Sequence, residues 1–159
     1  MVDYSFTIRK AEPADAPAIR DIMQESFAKY MKDACLSGSM EALLETVDDI
    51  AEAIKTQEVY IAIIDDVAVG SVRIKLMPDN TAYLSRFGVR PCYHSIGIGK
   101  SLMNLVDKLL TARGVKSVCL HTASKYRDLV RFYYGRGFYI DSTTKDRGYI
   151  RALMIKEYF

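Results

Sequence analysis

Apolar residues in the first third of the chain recur every three to four positions, whereas after Val59 they alternate or gather in short β-branched runs. The change of period divides a helical opening from a strand-rich remainder. Phe6–Arg9 reads as a short strand, and Asp15 as the N-cap of a helix reaching about Lys32, with Ile19, Ile22, Met23 and Phe27 along its apolar side. Tyr30–Gly38 reads as a connection. A second helix is expected from Ser39, carrying Met40, Leu43, Leu44, Val47, Ile50, Ala51 and Ile54 at helical spacing. Then Val59–Ile64, Val67–Leu76 and Thr81–Val89 form three strands, joined by turns at Asp65-Asp66 and Pro78-Asp79-Asn80. Such short connections predict an antiparallel meander.

The rest of the chain alternates element types. A helix is expected from about Gly97 to Arg113, with Ile98, Leu102, Leu105, Val106, Leu109 and Leu110 on its buried face and Gly114 as its C′ stop. Val115–His121 is a strand, Lys125–Arg136 a short helix, and Phe138–Thr143 and Tyr149–Lys156 are strands. Strand, helix, strand implies a right-handed parallel crossover. No linker, repeat or low-complexity tract interrupts the 159 residues. The pattern predicts a single α/β (α+β) domain, residues 1–159, with a mixed sheet of about seven strands and about four helices.

Composition narrows the classes of function. Half the residues are hydrophobic, about a quarter are charged, and the formal net charge is +2. With both signs interspersed, nothing calls for nucleic-acid or membrane binding. No apolar run approaches the ~20 residues of a membrane span, and the opening Met1–Phe6 lacks a signal-peptide pattern. Cys35, Cys92 and Cys119 are odd in number and scattered, which argues against a disulfide framework. A cytoplasmic, reduced protein is expected. The Tyr-rich C-terminal strand is open to two readings, pairing with a second copy in a homodimer or an internal place in the sheet.

The candidate chemistry starts at Val89–Met103, where a strand-like run meets Pro91, passes Gly97 and Gly99, and enters a helix. Helix N-termini carry unpaired N–H groups and the positive end of the macrodipole, a ready site for phosphate. Gly99-Lys100-Ser101 matches the end of an NTPase phosphate loop, but the required first glycine falls at His94. A dinucleotide fingerprint would place its third glycine at Leu102. Both readings fail. Cys92-x-His94 has too few neighbouring ligands for a metal site, so no metal is expected.

His94-Ser95-Ile96-Gly97-Ile98-Gly99 resembles the acetyl-CoA signature Arg/Gln-x-x-Gly-x-Gly/Ala of the GCN5-related N-acetyltransferase (GNAT) family, with His94 departing from Arg or Gln. Val89, Pro91 and Tyr93 complete a V-x-P-x-Y phrase also seen in that family. Beyond the next strand, Leu120–Phe138 resembles the family's later segment, in which a tyrosine precedes Gly-Phe by three residues. Tyr133 and Gly137-Phe138 take these positions, while Tyr126 stands for the family's frequent asparagine and Leu129 for its alanine.

The resemblance implies an acyl-CoA N-acyltransferase fold and transfer of acetyl from acetyl-CoA to a primary amine of a small molecule, peptide or protein. Direct attack would pass through a tetrahedral intermediate. It implies Tyr133 as the acid that protonates the departing thiolate. Tyr134 is its neighbour, but successive helical residues point about 100° apart. Phe87, Gly88 and Val89 would pair with the pantetheine amides. The amides of His94, Ser95, Ile96, Gly97, Ile98 and Gly99 would wrap the pyrophosphate, with Lys100, Ser101 and Tyr126 contributing. The acceptor would lie between Tyr30–Ser39 and Thr144–Gly148, where Tyr30, Met31, Lys145, Asp146 and Arg147 are mixed in character.

Many relatives place a glutamate on the strand before the loop, but Thr81–Val89 has no carboxylate. Tyr83, Ser85, His121 and Asp141 are the candidates for the general base. The missing carboxylate and His94 motivate an alternative, a regulatory domain that binds acyl-CoA without turnover.

Overall fold

The computed structural model describes residues 5–37 and 40–158. In chain order the elements are β1 (Thr7–Lys10), α1 (Ala16–Asp33), α2 (Glu41–Leu44), α3 (Val47–Thr56), β2 (Glu58–Ile64), β3 (Val67–Leu76), β4 (Thr81–Val89), α4 (Ile98–Ala112), β5 (Ser117–Ala123), α5 (Arg127–Gly135), β6 (Tyr139–Thr144) and β7 (Arg151–Glu157). Short 3₁₀ turns precede α1 (Pro13–Asp15) and α4 (Pro91–Tyr93). The seven strands form one mixed sheet in the order β1-β2-β3-β4-β5-β7-β6, antiparallel except for the parallel β4–β5 pair. Asp65 and Asp66 adopt φ 48° and 64°, the left-handed pair that a two-residue hairpin turn between β2 and β3 requires.

Helices cover both faces. Ile19, Ile22 and Met23 of α1 and Ile50 and Ile54 of α3 pack with Val59 and Ile61 of β2. On the opposite face, Ile98, Leu102, Val106 and Leu110 of α4 and Tyr133 of α5 pack with Ala62 and Ile64 of β2, Val72 and Ile74 of β3, and Leu120 of β5. Strand β2 thus feeds both cores, as alternating side chains allow.

One expectation changes and two are refined. The single helix expected from Ser39 is two helices, which raises the count from four to five among the described residues; the start at Ser39 lies outside them. The break has a local cause. Glu45 is extended (φ −62°, ψ 133°), and Thr46 opens α3 by accepting from Asp49 N at 3.1 Å while Asp49 accepts from Thr46 N. This reciprocal cap starts a new helix where the apolar spacing continues. Asp15 precedes α1 but makes no side-chain cap; its carboxylate accepts from Glu12 N at 2.7 Å and from Arg9. Finally, β7 lies inside the sheet, paired to β5 and β6, so its edges are not free to meet a second chain.

Candidate active site

Strands β4 and β5 pair only at Thr81–Tyr83 and Ser117–Cys119, although β4 continues to Val89 and β5 to Ala123. Past Tyr83 they part. Between Ser71↔Gly88 and Arg73↔Ser85 the register of β3 and β4 shifts by one residue, and Arg86 sits at φ 52°. The extra residue is a bulge, which bends the strand and redirects its side chains. The opening is a cavity of about 1070 Å³, lined by α1, α2, β3–β5, the glycine loop, α5 and the β6–β7 connection.

One wall is mostly backbone. His94 N–H donates to Pro91 O at 3.2 Å, and Ser101 N–H donates to Gly97 O at 3.0 Å. Between them, the N–H groups of residues 95–100 have no backbone acceptor among the described residues. Ser95 and Gly97 take left-handed φ values of 70° and 90°, turning the loop into α4. A Cβ on Gly99 would lie 3.3 Å from Phe87 Cζ and 3.8 Å from Phe132 Cζ, so this glycine leaves the helix start open beside two stacked rings. Gly88 has a different reason to be small. A Cβ there would collide with Ser26 of α1.

Tyr133 lies at the centre of the site. It is 4 % exposed, lines the cavity, and packs against the rings of Phe87, Phe132 and Phe138. No hydrogen bond to a described residue bears on its hydroxyl, and burial, with a smaller contribution from Tyr30, raises its pKa far above the ordinary phenol value. The proton therefore stays on oxygen at neutral pH. Tyr134 is exposed, and its hydroxyl accepts from Ile140 N at 3.3 Å.

The opposite wall is made of side chains. Tyr83 Oη and His121 Nδ1 are 2.6 Å apart, and both residues line the cavity. Burial lowers the His121 pKa below 6.5, and Arg151 and Arg147 lower it further against the opposing pull of Asp146. Neutral imidazole is therefore the resting form at pH 7. Arg73, buried on β3, binds Glu45 at 2.8 and 3.1 Å, and Arg86 reaches the same carboxylate at 3.1 Å. Burial alone would raise the Glu45 pKa, but the two guanidinium groups outweigh it and hold it below 4.5. Arg147 Nη1 donates to Glu41 of α2 at 2.6 Å, joining the β6–β7 connection to the far rim.

The family model described as the acetyltransferase (GNAT) family matches residues 17–138, from α1 through the Gly137-Phe138 pair. The chain belongs to the GNAT acetyltransferase family. As a GNAT enzyme it is an acetyltransferase, with acetyl-CoA as its cosubstrate. Solved structures share the fold at low identity. A PaiA N-acetyltransferase from Thermoplasma acidophilum, determined in complex with coenzyme A, matches at 22% identity and TM-score 0.84, over 97% of this chain and 99% of its own. The ribosomal-protein-S18-alanine N-acetyltransferase from Escherichia coli matches at 19% identity and TM-score 0.77, over 96% of this chain and 94% of its own. A GCN5-related N-acetyltransferase from Rhodopseudomonas palustris matches at 22% and 0.77, over 99% and 98%. A search of the curated proteins found no significant match.

Within this GNAT domain, Phe87, Gly88, Val89, His94, Ser95, Gly97, Ile98, Gly99, Lys100, Tyr126 and Tyr133 line the cavity, whereas Ile96 and Ser101 do not. His94 and Ser101 have committed their amides, and the His94 ring Nε2 bonds Val89 O at 2.9 Å. The departure at position 94 thus braces the loop through its own ring. Ile98 is buried in the core, and its N–H is among those without a backbone acceptor. Tyr126 donates its hydroxyl to Asp33 at 3.1 Å, and burial together with that carboxylate pushes its pKa up to about 12.

Among the base candidates, Tyr83, Ser85 and His121 line the cavity; Asp141 is exposed on β6 and does not. Of the acceptor-side residues, Tyr30 and Arg147 line it, while Met31, Lys145 and Asp146 do not. Arg73, Arg86 and Tyr149, also in its lining, and Glu45, which pairs the two arginines, carried no local sequence signal. Their meeting depends on contacts between residues far apart in the chain.

No helix among the described residues is long and apolar enough to cross a membrane.

Proposed function

We infer that this acetyltransferase acts on a primary amine, held on the side-chain wall and facing a thioester held on the backbone wall. One observation carries this reading: a single cavity joins a run of unpaired N–H groups, a buried unpaired phenol, and a Tyr–His pair. The free amides of residues 95–100 suit the pyrophosphate, because helix-start donors and the dipole both favour an anion. The parted edge of β4 at Phe87, Gly88 and Val89 suits the amides of the pantetheine arm.

Acetyl-CoA supplies a thioester carbonyl and a sulfur leaving group. Tyr133 holds the proton that the departing sulfur takes, and burial keeps that proton in place until charge develops there. Tyr83 and His121 receive the proton lost by the amine: Tyr83 Oη takes it as its own proton passes to His121 Nδ1 across 2.6 Å. A shared hydrogen bond makes the pair a stronger acceptor than a phenol alone, and neutral His121 is ready at pH 7. This pair replaces the strand carboxylate that the sequence lacks.

The test is release of free CoA thiol with a panel of amines. Tight acetyl-CoA binding with no turnover on any amine would favour the binding-only alternative. Tyr133→Phe separates the two readings, since an enzyme should lose turnover while retaining CoA affinity.

A further inference from the structure

A second cavity of about 450 Å³ lies beside the first. It is lined by Cys35, Leu36 and Ser37 after α1, by Ala123 at the end of β5 and Lys125 beyond it, and by part of the β6–β7 connection. Arg147 and Tyr149 line both cavities and form a common wall. Its walls are fixed by the chain itself. Ser124 N and Oγ donate to Ile150 O at 3.1 and 3.2 Å, and Leu36 N donates to Met31 O at 2.8 Å. Tyr149 packs against the buried cluster of Tyr30, Ala34 and Ala123.

The charged side chains that line this cavity have one sign. Among the described residues, Lys125, Lys145 and Arg147 line it, and no carboxylate does. Lys125 and Lys145 make no ion pair among the described residues. Arg147 gives Nη1 to Glu41 and keeps the remaining donors of its fork. Singly, an exposed lysine is a solvated surface charge. Three cations around one concavity repel one another, and a bound anion relieves that repulsion through charge-assisted hydrogen bonds.

The first cavity points the same way. Arg147 and Arg151 face His121 from the β6–β7 side, with Asp146 opposing them and Tyr83 across the β4–β5 opening. The two guanidinium groups, only partly opposed by Asp146, make a field that disfavours a polycationic acceptor. It tolerates an amine that carries its own negative charge. Resting on the acetyltransferase reading above, we propose that the second cavity is an acceptor subsite for a carboxylate or phosphate group of a small amine. The amine nitrogen reaches past Arg147 and Tyr149 to Tyr83 and His121.

Two measurements test this, one independent of turnover. First, the acetyl-CoA-loaded protein is titrated by calorimetry with glutarate and with inorganic phosphate, on the wild type and the K125Q/K145Q double variant. Binding of either anion to wild type, weakened at least tenfold in the double variant and by raised salt, is expected. Which anion binds more tightly distinguishes a carboxylate acceptor from a phosphorylated one. Second, matched acceptors are compared: 4-aminobutyrate with butylamine, and phosphoethanolamine with ethanolamine. The anionic member of a pair should show a KM at least tenfold lower, a gap that shrinks in the double variant. Equal KM values within each pair, or anion binding unchanged by the double substitution, overturn the subsite but leave the acetyltransferase reading intact. Absence of turnover on every amine, with anion binding present and sensitive to the lysines, instead sinks the catalytic reading and keeps the subsite.

Discussion

The two walls of the cavity are built in opposite ways. The donor wall comes from one continuous stretch, residues 87–100, and presents mainly backbone: left-handed Ser95 and Gly97, an open Gly99, and amides with no partner. The acceptor wall gathers Glu45, Arg73, Arg86, His121, Arg147 and Arg151 from six separate segments and presents side chains held by ion pairs. A backbone-lined site binds what every member of a family shares. A side-chain site changes with each substitution, without altering the fold that supports it. Under the proposed reading, the difference assigns this protein's specificity to the side-chain wall.

The sharpest way to break the comparison is at the centre, where both walls meet. Tyr133→Phe should lower kcat by about 10²–10⁴-fold and leave the CoA dissociation constant nearly unchanged, read by steady-state kinetics with calorimetry. Parallel losses of both would mean that Tyr133 holds the donor wall together. His121→Gln should reduce kcat/KM by about 10²-fold and remove the acidic limb of its pH profile. In wild type that limb should fall below 6.5, because burial and the neighbouring arginines lower the His121 pKa. Arg151→Gln should move the limb upward.

Glu45→Gln tests the acceptor wall as structure. It leaves Arg73 and Arg86 without their counter-charge, and should destabilise the fold by roughly 2 kcal/mol, less than a fully buried pair because Glu45 is partly exposed. The sign of the pH dependence is set by the lowered Glu45 pKa. This stabilisation is present above pH 4.5 and is lost as pH falls through the folded-state value. Urea unfolding at pH 7 and pH 3.5 should show the wild type approaching the variant in acid. The smallest effect belongs to the donor wall. Gly99→Val, whose Cβ would crowd Phe87 and Phe132, should raise the acetyl-CoA KM by about tenfold, roughly 1.4 kcal/mol, with little change in the acceptor KM.

Most elements were legible because their signals are local. Asp65-Asp66 marked the β2–β3 hairpin, and Gly114 ended α4 where expected, at φ 67°. The break between α2 and α3 was missed because hydrophobic spacing runs through it, even though the Thr46–Asp49 cap is itself a local signal. Asp141 looked as plausible a base as His121 in the sequence; the sheet order sends one to an exposed edge strand and the other to the cavity.

By itself the sequence determined the alternation of elements, the glycine-rich entry to α4 and the Tyr133…Gly137-Phe138 segment, and with them the family and its donor. These rest on contacts within a few turns or strands. Tertiary structure decided where β4 and β5 part, which histidine nitrogen meets Tyr83, how Glu45 binds two arginines, and which cations line the second cavity. Those contacts join residues as far apart as Glu41 and Arg147. Only the folded sheet brings them within hydrogen-bonding distance.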